Sequence, residues 1–313
     1  MSYLLYRDVE GLYIGREFQE TTVRSVLSYE PQEGDIFIVS YPKCGTTWMQ
    51  YITYNIFNDG IRPPSMIDVF MSVPFLERKG IRDDKDFPRP VAMKTHLPFS
   101  KQPYSEGAKY IYISRNPYDC CVSFYHYAET PRAHQFKGRT FDEFFESFVR
   151  GNVSFGDYFD HLLSWYAHRR DPNVLFMTYE DLKKDIELCV LKVADFIGEE
   201  YGRKLRDQPE LLERIVSNVG LESMKGLEEE MKKKVTQRRV TEASTLPEGV
   251  GTKTAFFSGT VERSFSGDLV RKGVVGDWKN NFSPLQVERM KGRIALKTKG
   301  TDVMCLWKDL DLP

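Results

Sequence analysis

The segment Tyr41-Pro42-Lys43-Cys44-Gly45-Thr46-Thr47-Trp48 concentrates groups that bind anions. It follows a short apolar run and opens a helical pattern. A helix N-terminus offers unpaired backbone N–H groups and positive potential to phosphate-like ligands. Gly45 lets the backbone approach such a ligand closely, Thr46 and Thr47 add hydroxyl donors, and Lys43 adds a full charge. The segment is not a Walker A loop, in which the lysine directly follows a glycine; here Lys43 precedes Gly45. Arg115 ends a second apolar run, with Ser123 about two helical turns further on, and a guanidinium fork plus a hydroxyl suits a terminal phosphate. Arg271-Lys272-Gly273-Val274-Val275-Gly276-Asp277-Trp278-Lys279 sets two cations before two glycines spaced by three. His96, in Lys94-Thr95-His96-Leu97-Pro98, stands just past a strand candidate, a position suited to proton transfer at a pocket rim. Each feature alone has an ordinary structural alternative: a core histidine, a surface arginine, a plain strand-to-helix turn.

These residues must be positioned by the elements around them. Ile36–Ser40 and Tyr110–Ser114 are short, β-rich apolar runs that read as buried parallel strands, with Val91–Thr95 and Val174–Met177 as weaker candidates. Helical patterns cover Thr47–Phe57, Tyr118–Tyr127, Phe141–Arg150, Tyr158–Arg169 and Ile186–Ile197. The alternation predicts an α/β fold, a central, mainly parallel sheet flanked by helices, in a single domain over residues 1–313. Residues 58–90 predict a long irregular excursion. Glu228, Glu229 and Glu230, four residues before Lys232, Lys233 and Lys234, predict a solvated helical face. Ser244–Gly267 predicts a mobile lid.

Composition sets outer bounds. The chain has 313 residues, 41% hydrophobic and 28% charged, enough for a sizeable core. Its 44 Lys and Arg against 45 Asp and Glu argue against a general binder of nucleic acid or membrane surfaces. No apolar run approaches the roughly 18 residues of a membrane span, and Met1–Asp8 lacks the pattern of a signal peptide. Five cysteines without a C-x-x-C pair predict reduced thiols in a cytoplasmic protein. The partner expected is a small molecule, not nucleic acid or membrane.

The loop Tyr41–Trp48 resembles the YPKSGTTW loop of the cytosolic sulfotransferases, differing only at Cys44. Arg115–His126 resembles that family's RNxxDxxVSxYH segment, Arg271–Lys279 its RKGxxGDWK segment, and Lys94–Pro98 its KTHLP segment. The resemblance is strongest over residues 35–295. It implies a P-loop-like phosphosulfate-binding loop and the donor 3′-phosphoadenosine 5′-phosphosulfate (PAPS), with PAP as product. Lys43, Gly45, Thr46, Thr47 and the backbone of Cys44 are then expected at the 5′-phosphosulfate. Trp48 and Tyr179 are expected at the adenine, and Arg115, Ser123, Arg271, Lys272 and Gly273 at the 3′-phosphate. The family's Thr-Ser-Phe stretch is replaced by Val219-Gly220-Leu221, leaving Leu221 to pack the base.

By the same resemblance, His96 is the general base, Lys43 neutralises the leaving oxygen, Lys94 holds the acceptor oxygen and sulfuryl group, and Ser123 steers Lys43. A sulfuryl group carries less negative charge in transfer than a phosphoryl group, so no metal is expected. Phe18, Phe70, Phe75, Tyr127 and Phe155, with Lys94 and His96, are the expected acceptor wall, suited to a phenol or an aromatic amine. Arg78 replaces a family aromatic there. Glu129 and His134 are expected to tune specificity, with Glu129 favouring an amine. Ser283-Pro284 interrupts the family's dimer motif between Lys279 and Glu288, so a monomer or weak dimer is expected. The competing readings are a P-loop nucleotide kinase and a catalytically idle nucleotide-binding module.

Overall fold

The computed structural model describes residues 5–81, 89–130, 138–245 and 271–313. His134 and all but the first two residues of the expected lid lie outside the described residues. Four parallel strands form the central sheet: β3 (Asp35–Val39), β4 (Val91–Thr95), β5 (Lys109–Ser114) and β6 (Val174–Thr178), in the order β4-β3-β5-β6. Their register aligns Val39 with Thr95 and Tyr112, and Ser114 with Thr178. All five residues of β3 are buried, as a strand covered on both faces requires.

Strand alternation divides the core in two. Ile36, Ile38, Ile111 and Ile113 pack with Met49 and Ile52 of α2 (Thr46–Phe57) and with Val190 and Val193 of α9 (Ile186–Ile197). Phe37, Val39, Tyr110 and Tyr112 face the other way. They pack with Val122 of α5 (Pro117–Ala128) and with Leu162 and Trp165 of α7 (Tyr158–Tyr166). The helices predicted from the sequence therefore form, with ends shifted by at most three residues.

Three features differ from the sequence expectation. Residues 58–90 are not wholly irregular: α3 (Met66–Ser72) and α4 (Leu76–Lys79) lie within them. Both are too short for helical periodicity to register, and contacts such as Gln50 Nε2 to the Val73 carbonyl (2.7 Å) hold the region in place. The charged run lies in α12 (Leu221–Thr245), but Glu228 is buried beside Leu227 and Met231 rather than solvated. Glu229 does pair with Lys232 at 2.9 Å. Finally, an N-terminal hairpin, β1 (Tyr6–Val9) and β2 (Leu12–Gly15), turns through Glu10 and Gly11, both at positive φ. Ser154 Oγ accepts the Gly15 N–H at 3.0 Å and the Tyr13 carbonyl accepts the Phe155 N–H at 2.8 Å. The hairpin thus fixes the segment that carries Phe155.

Candidate active site

All four parallel strands end on the same side, and each releases a site residue there. The loop 40–45 leaves β3, His96 follows β4, Arg115 follows β5, and Tyr179 follows β6. Ligands of open α/β sheets bind at this carboxyl edge. A cavity of about 470 Å³ opens there.

On one side of the cavity, Gly45 precedes α2 with φ +113°, and no side chain caps the helix, which leaves the first-turn N–H groups available to a ligand. Lys43 also has a left-handed backbone, at φ 72°. Such conformations are costly for a side-chain-bearing residue and gather at functional sites. A Cβ on Gly45 would lie 3.1 Å from Tyr179 Cδ2. The Arg115 guanidinium lies 4.3 Å from the centre of the Tyr179 ring, and its buried Nε has no hydrogen-bond partner among the described residues. That orphaned donor, the uncapped helix and the close backbone at Gly45 fit a doubly anionic nucleotide. Trp48 meets Tyr179 edge-on at 5.5 Å and donates Nε1–H to the Val219 carbonyl at 2.8 Å. Leu221 packs at Gly273, within 2.7 Å of where a Cβ would stand.

Arg271 and Lys272 reach Asp277 at 2.5 and 2.8 Å. Burial opposes the charge on Asp277, but hydrogen bonds from Lys272, Arg271 and Asn280 prevail and hold its carboxyl well below the usual range. Asp119, fully buried, accepts the backbone N–H groups of Gly276 (2.7 Å) and Trp278 (3.0 Å), tying this loop to the start of α5.

On the other side, His96 is enclosed by Phe75 and Phe155, at ring distances of 5.0 and 5.3 Å. Phe18 meets both phenyl rings edge-on, and Lys94 Nζ lies 4.4 Å from the centre of Phe75. His96 Nδ1 is 2.7 Å from the Ser40 carbonyl oxygen. A carbonyl only accepts, so Nδ1 carries the proton and Nε2 keeps its lone pair. Burial, then the Lys94 charge, holds the imidazole pKa well below its ordinary value, with the Ser40 contact only partly offsetting them. The His96 backbone is pinned as well. Its N–H donates to Glu77 Oε1 at 2.6 Å, and its carbonyl accepts from His161 Nε2 at 3.1 Å. Burial pushes Glu77 up to about 7 and His161 down to about 3.

The residues expected from the sequence converge on this one cavity. Lys43, Gly45, Thr46, Thr47, Trp48, Arg115, Ser123, Tyr179, Leu221, Arg271, Lys272 and Gly273 line it, as do Phe18, Phe70, Phe75, Lys94, His96, Tyr127 and Phe155. Cys44 is the exception. It is fully buried, its N–H donates to the Tyr41 carbonyl, and its Sγ lies 3.6 Å from Cys120 Sγ, so it faces away from the cavity. Glu129 does not line the cavity either; its carboxylate lies 3.9 Å from His126 Nδ1. Sequence reasoning missed Gln50, Lys79, His126, Thr130 and Met224 in the lining, and Asp119, Glu77 and His161 behind it. Asp119 and His126 stand at fixed positions of the RNxxDxxVSxYH segment, the signal that could have found them.

A sulfotransferase domain model matches residues 33–302. Bovine sulfotransferase 1A1 is 32% identical over 96% of this chain and 95% of its own length, and human sulfotransferase 1E1 is 32% identical over 90% and 89%. Among solved structures, mouse sulfotransferase SULT7A1 complexed with PAP is 27% identical, with a TM-score of 0.67 over 97% of this chain and 98% of that one. Retinol dehydratase with androsterone and PAP, 22% identical, shares the fold at a TM-score of 0.68 over 94% of this chain and 89% of that one. The chain belongs to the sulfotransferase family, the class of enzymes that take a sulfuryl group from PAPS. Nine-tenths or more of its length aligns with these two cytosolic members. Among the described residues, no helix is long and apolar enough to cross a membrane.

Proposed function

We propose that this enzyme works in the cytoplasm, as one domain, moving the sulfuryl group of PAPS in line to the hydroxyl or amine of a small phenolic or aromatic-amine acceptor, with His96 as general base. PAPS supplies the sulfuryl group and a leaving group, PAP. Lys43, Thr46, Thr47 and the open N–H groups of α2 hold the 5′ end. Arg115, Ser123, Arg271 and Lys272 hold the 3′-phosphate, with Trp48, Tyr179 and Leu221 around the adenine. Phe18, Phe70, Phe75, Tyr127 and Phe155 orient a flat acceptor. The neutral imidazole removes the acceptor proton at Nε2, Lys94 steadies the acceptor oxygen, and Lys43 offsets charge on the leaving oxygen.

The observation that carries this reading is the enclosure of His96. Its Nδ1 is committed to Ser40 while the ring packs between Phe75 and Phe155 in the same cavity that Lys43, Arg115, Arg271 and Lys272 line. The test is sulfate transfer from labelled PAPS to a panel of phenols and aromatic amines, beside calorimetric titration with PAP and with ATP plus Mg²⁺. Transfer together with a clear preference for PAP is expected. Preference for ATP would favour a kinase, and PAP binding without any transfer would favour an idle binding module.

A further inference from the structure

The C-terminal segment is bonded to residues that adjoin the donor side of the cavity. Val303–Trp307 forms a 3₁₀ turn that buries both end residues. Trp307 Nε1–H donates to Glu180 Oε2 at 2.8 Å. Glu180 Oε1 accepts the Asn116 backbone N–H at 3.0 Å and its Nδ2–H at 2.7 Å. Asn116 Nδ2 also donates to Asp119 Oδ2 at 2.9 Å, and Asp119 accepts the N–H groups of Gly276 and Trp278. Every side chain in this relay is at most 9% exposed.

The relay contains none of the expected ligand contacts, yet it stands next to three of them along the chain. Arg115 precedes Asn116, Tyr179 precedes Glu180, and Gly273 lies three residues before Gly276. A buried carboxylate is held in place by its donors, and losing one leaves an oxygen uncompensated. Glu180 is the junction, because its two oxygens join the C-terminus to the start of α5.

We propose that Trp307 is a positioning residue for the 3′-phosphate half of the donor site. Its indole N–H fixes Glu180, and through Asn116 and Asp119 it keeps Arg115 and the 271–276 loop in register. The proposal rests on the reading that this cavity takes PAPS.

The test compares Trp307→Phe, which keeps a ring and removes the N–H, with the unmodified enzyme. Dissociation constants are measured by calorimetry for PAP and for adenosine 5′-phosphate, which lacks the 3′-phosphate, alongside the melting temperature and the kinetics. PAP affinity is expected to fall about five- to twentyfold and adenosine 5′-phosphate affinity by less than about twofold. The KM for PAPS rises while kcat at saturating donor stays within about twofold. Equal losses for both nucleotides, or an unchanged ratio, would overturn the proposal. Glu180→Gln, which turns an amide toward one of the donors, is expected to narrow the ratio in the same way and serves if Trp307→Phe does not fold. An unmodified enzyme that does not prefer PAP would overturn the PAPS reading and this proposal together. A preference for PAP that Trp307→Phe leaves intact overturns the proposal alone.

Discussion

The carbonyl oxygen of Ser40 and Nδ1 of His96 lie 2.7 Å apart, at the adjoining ends of two parallel strands. This contact fixes the imidazole tautomer before any acceptor arrives. Burial and the Lys94 charge keep the ring neutral. The acid limb of kcat/KM, which reports the free enzyme, is therefore expected below the ordinary imidazole value of about 6.5, with activity flat from there to about pH 8. Lys94→Met removes the cation that lowers the pKa and is expected to move the limb upward. An acid limb at or above 6.5 in the unmodified enzyme contradicts a neutral buried base.

Gly45 faces Tyr179 so closely that a Cβ there would crowd the tyrosine ring. Gly45→Ala meets both the positive φ and the 3.1 Å approach to Tyr179 Cδ2. The left-handed backbone alone costs an alanine about 1–2 kcal/mol. A PAP dissociation constant at least about tenfold weaker is expected, with acceptor discrimination little altered. Titration showing unchanged PAP affinity would remove Gly45 from the donor cradle.

Asp277 holds Arg271 and Lys272 together, so Asp277→Asn is expected to cost about 1 kcal/mol or slightly more, discounted because Lys272 is half exposed. The sign follows from the depressed folded pKa. The stabilisation is complete above the ordinary carboxylate value of about 3.9 and is lost as pH falls through and below it. Urea unfolding should therefore give the same difference between the two proteins at pH 8 and pH 5. A difference that vanishes by pH 5 would contradict the assignment.

Arg78 stands 5.1 Å from the centre of the Phe18 ring and 3.4 Å from the Tyr127 hydroxyl, and among the described residues no carboxylate pairs with it. Arg78→Met is expected to raise KM about tenfold for a phenol bearing a carboxylate, and less than about twofold for a neutral phenol, with PAP affinity unchanged. Glu129→Ala, outside the lining and behind His126, should leave the choice between a phenolic amine and its uncharged analogue as it was. Steady-state kinetics on matched acceptors decides both.

The parallel sheet was legible because β3 and β5 are apolar on both faces, and Lys43, Arg115 and His96 were legible because strand ends are where such folds bind ligands. Their convergence needed the strand order, which places β3 between β4 and β5. Trp307 and Glu180 were not legible, since 127 residues separate the two ends of that hydrogen bond. The place of Cys44 differs from the expectation for a local reason. Its place in the loop implied a backbone contact to the ligand, but the turn that puts Lys43 at positive φ commits the Cys44 N–H to Tyr41. Glu228 reads as a surface charge beside its acidic neighbours, and only the packing of α12 buries it.

The most direct measurement pairs calorimetric titration of PAP with labelled sulfate transfer for His96→Ala. PAP affinity within about twofold of the unmodified enzyme, with turnover reduced at least about a hundredfold, is the expected result. Transfer retained at more than a few per cent of the original rate, with PAP bound normally, would contradict His96 as the group that takes the acceptor proton.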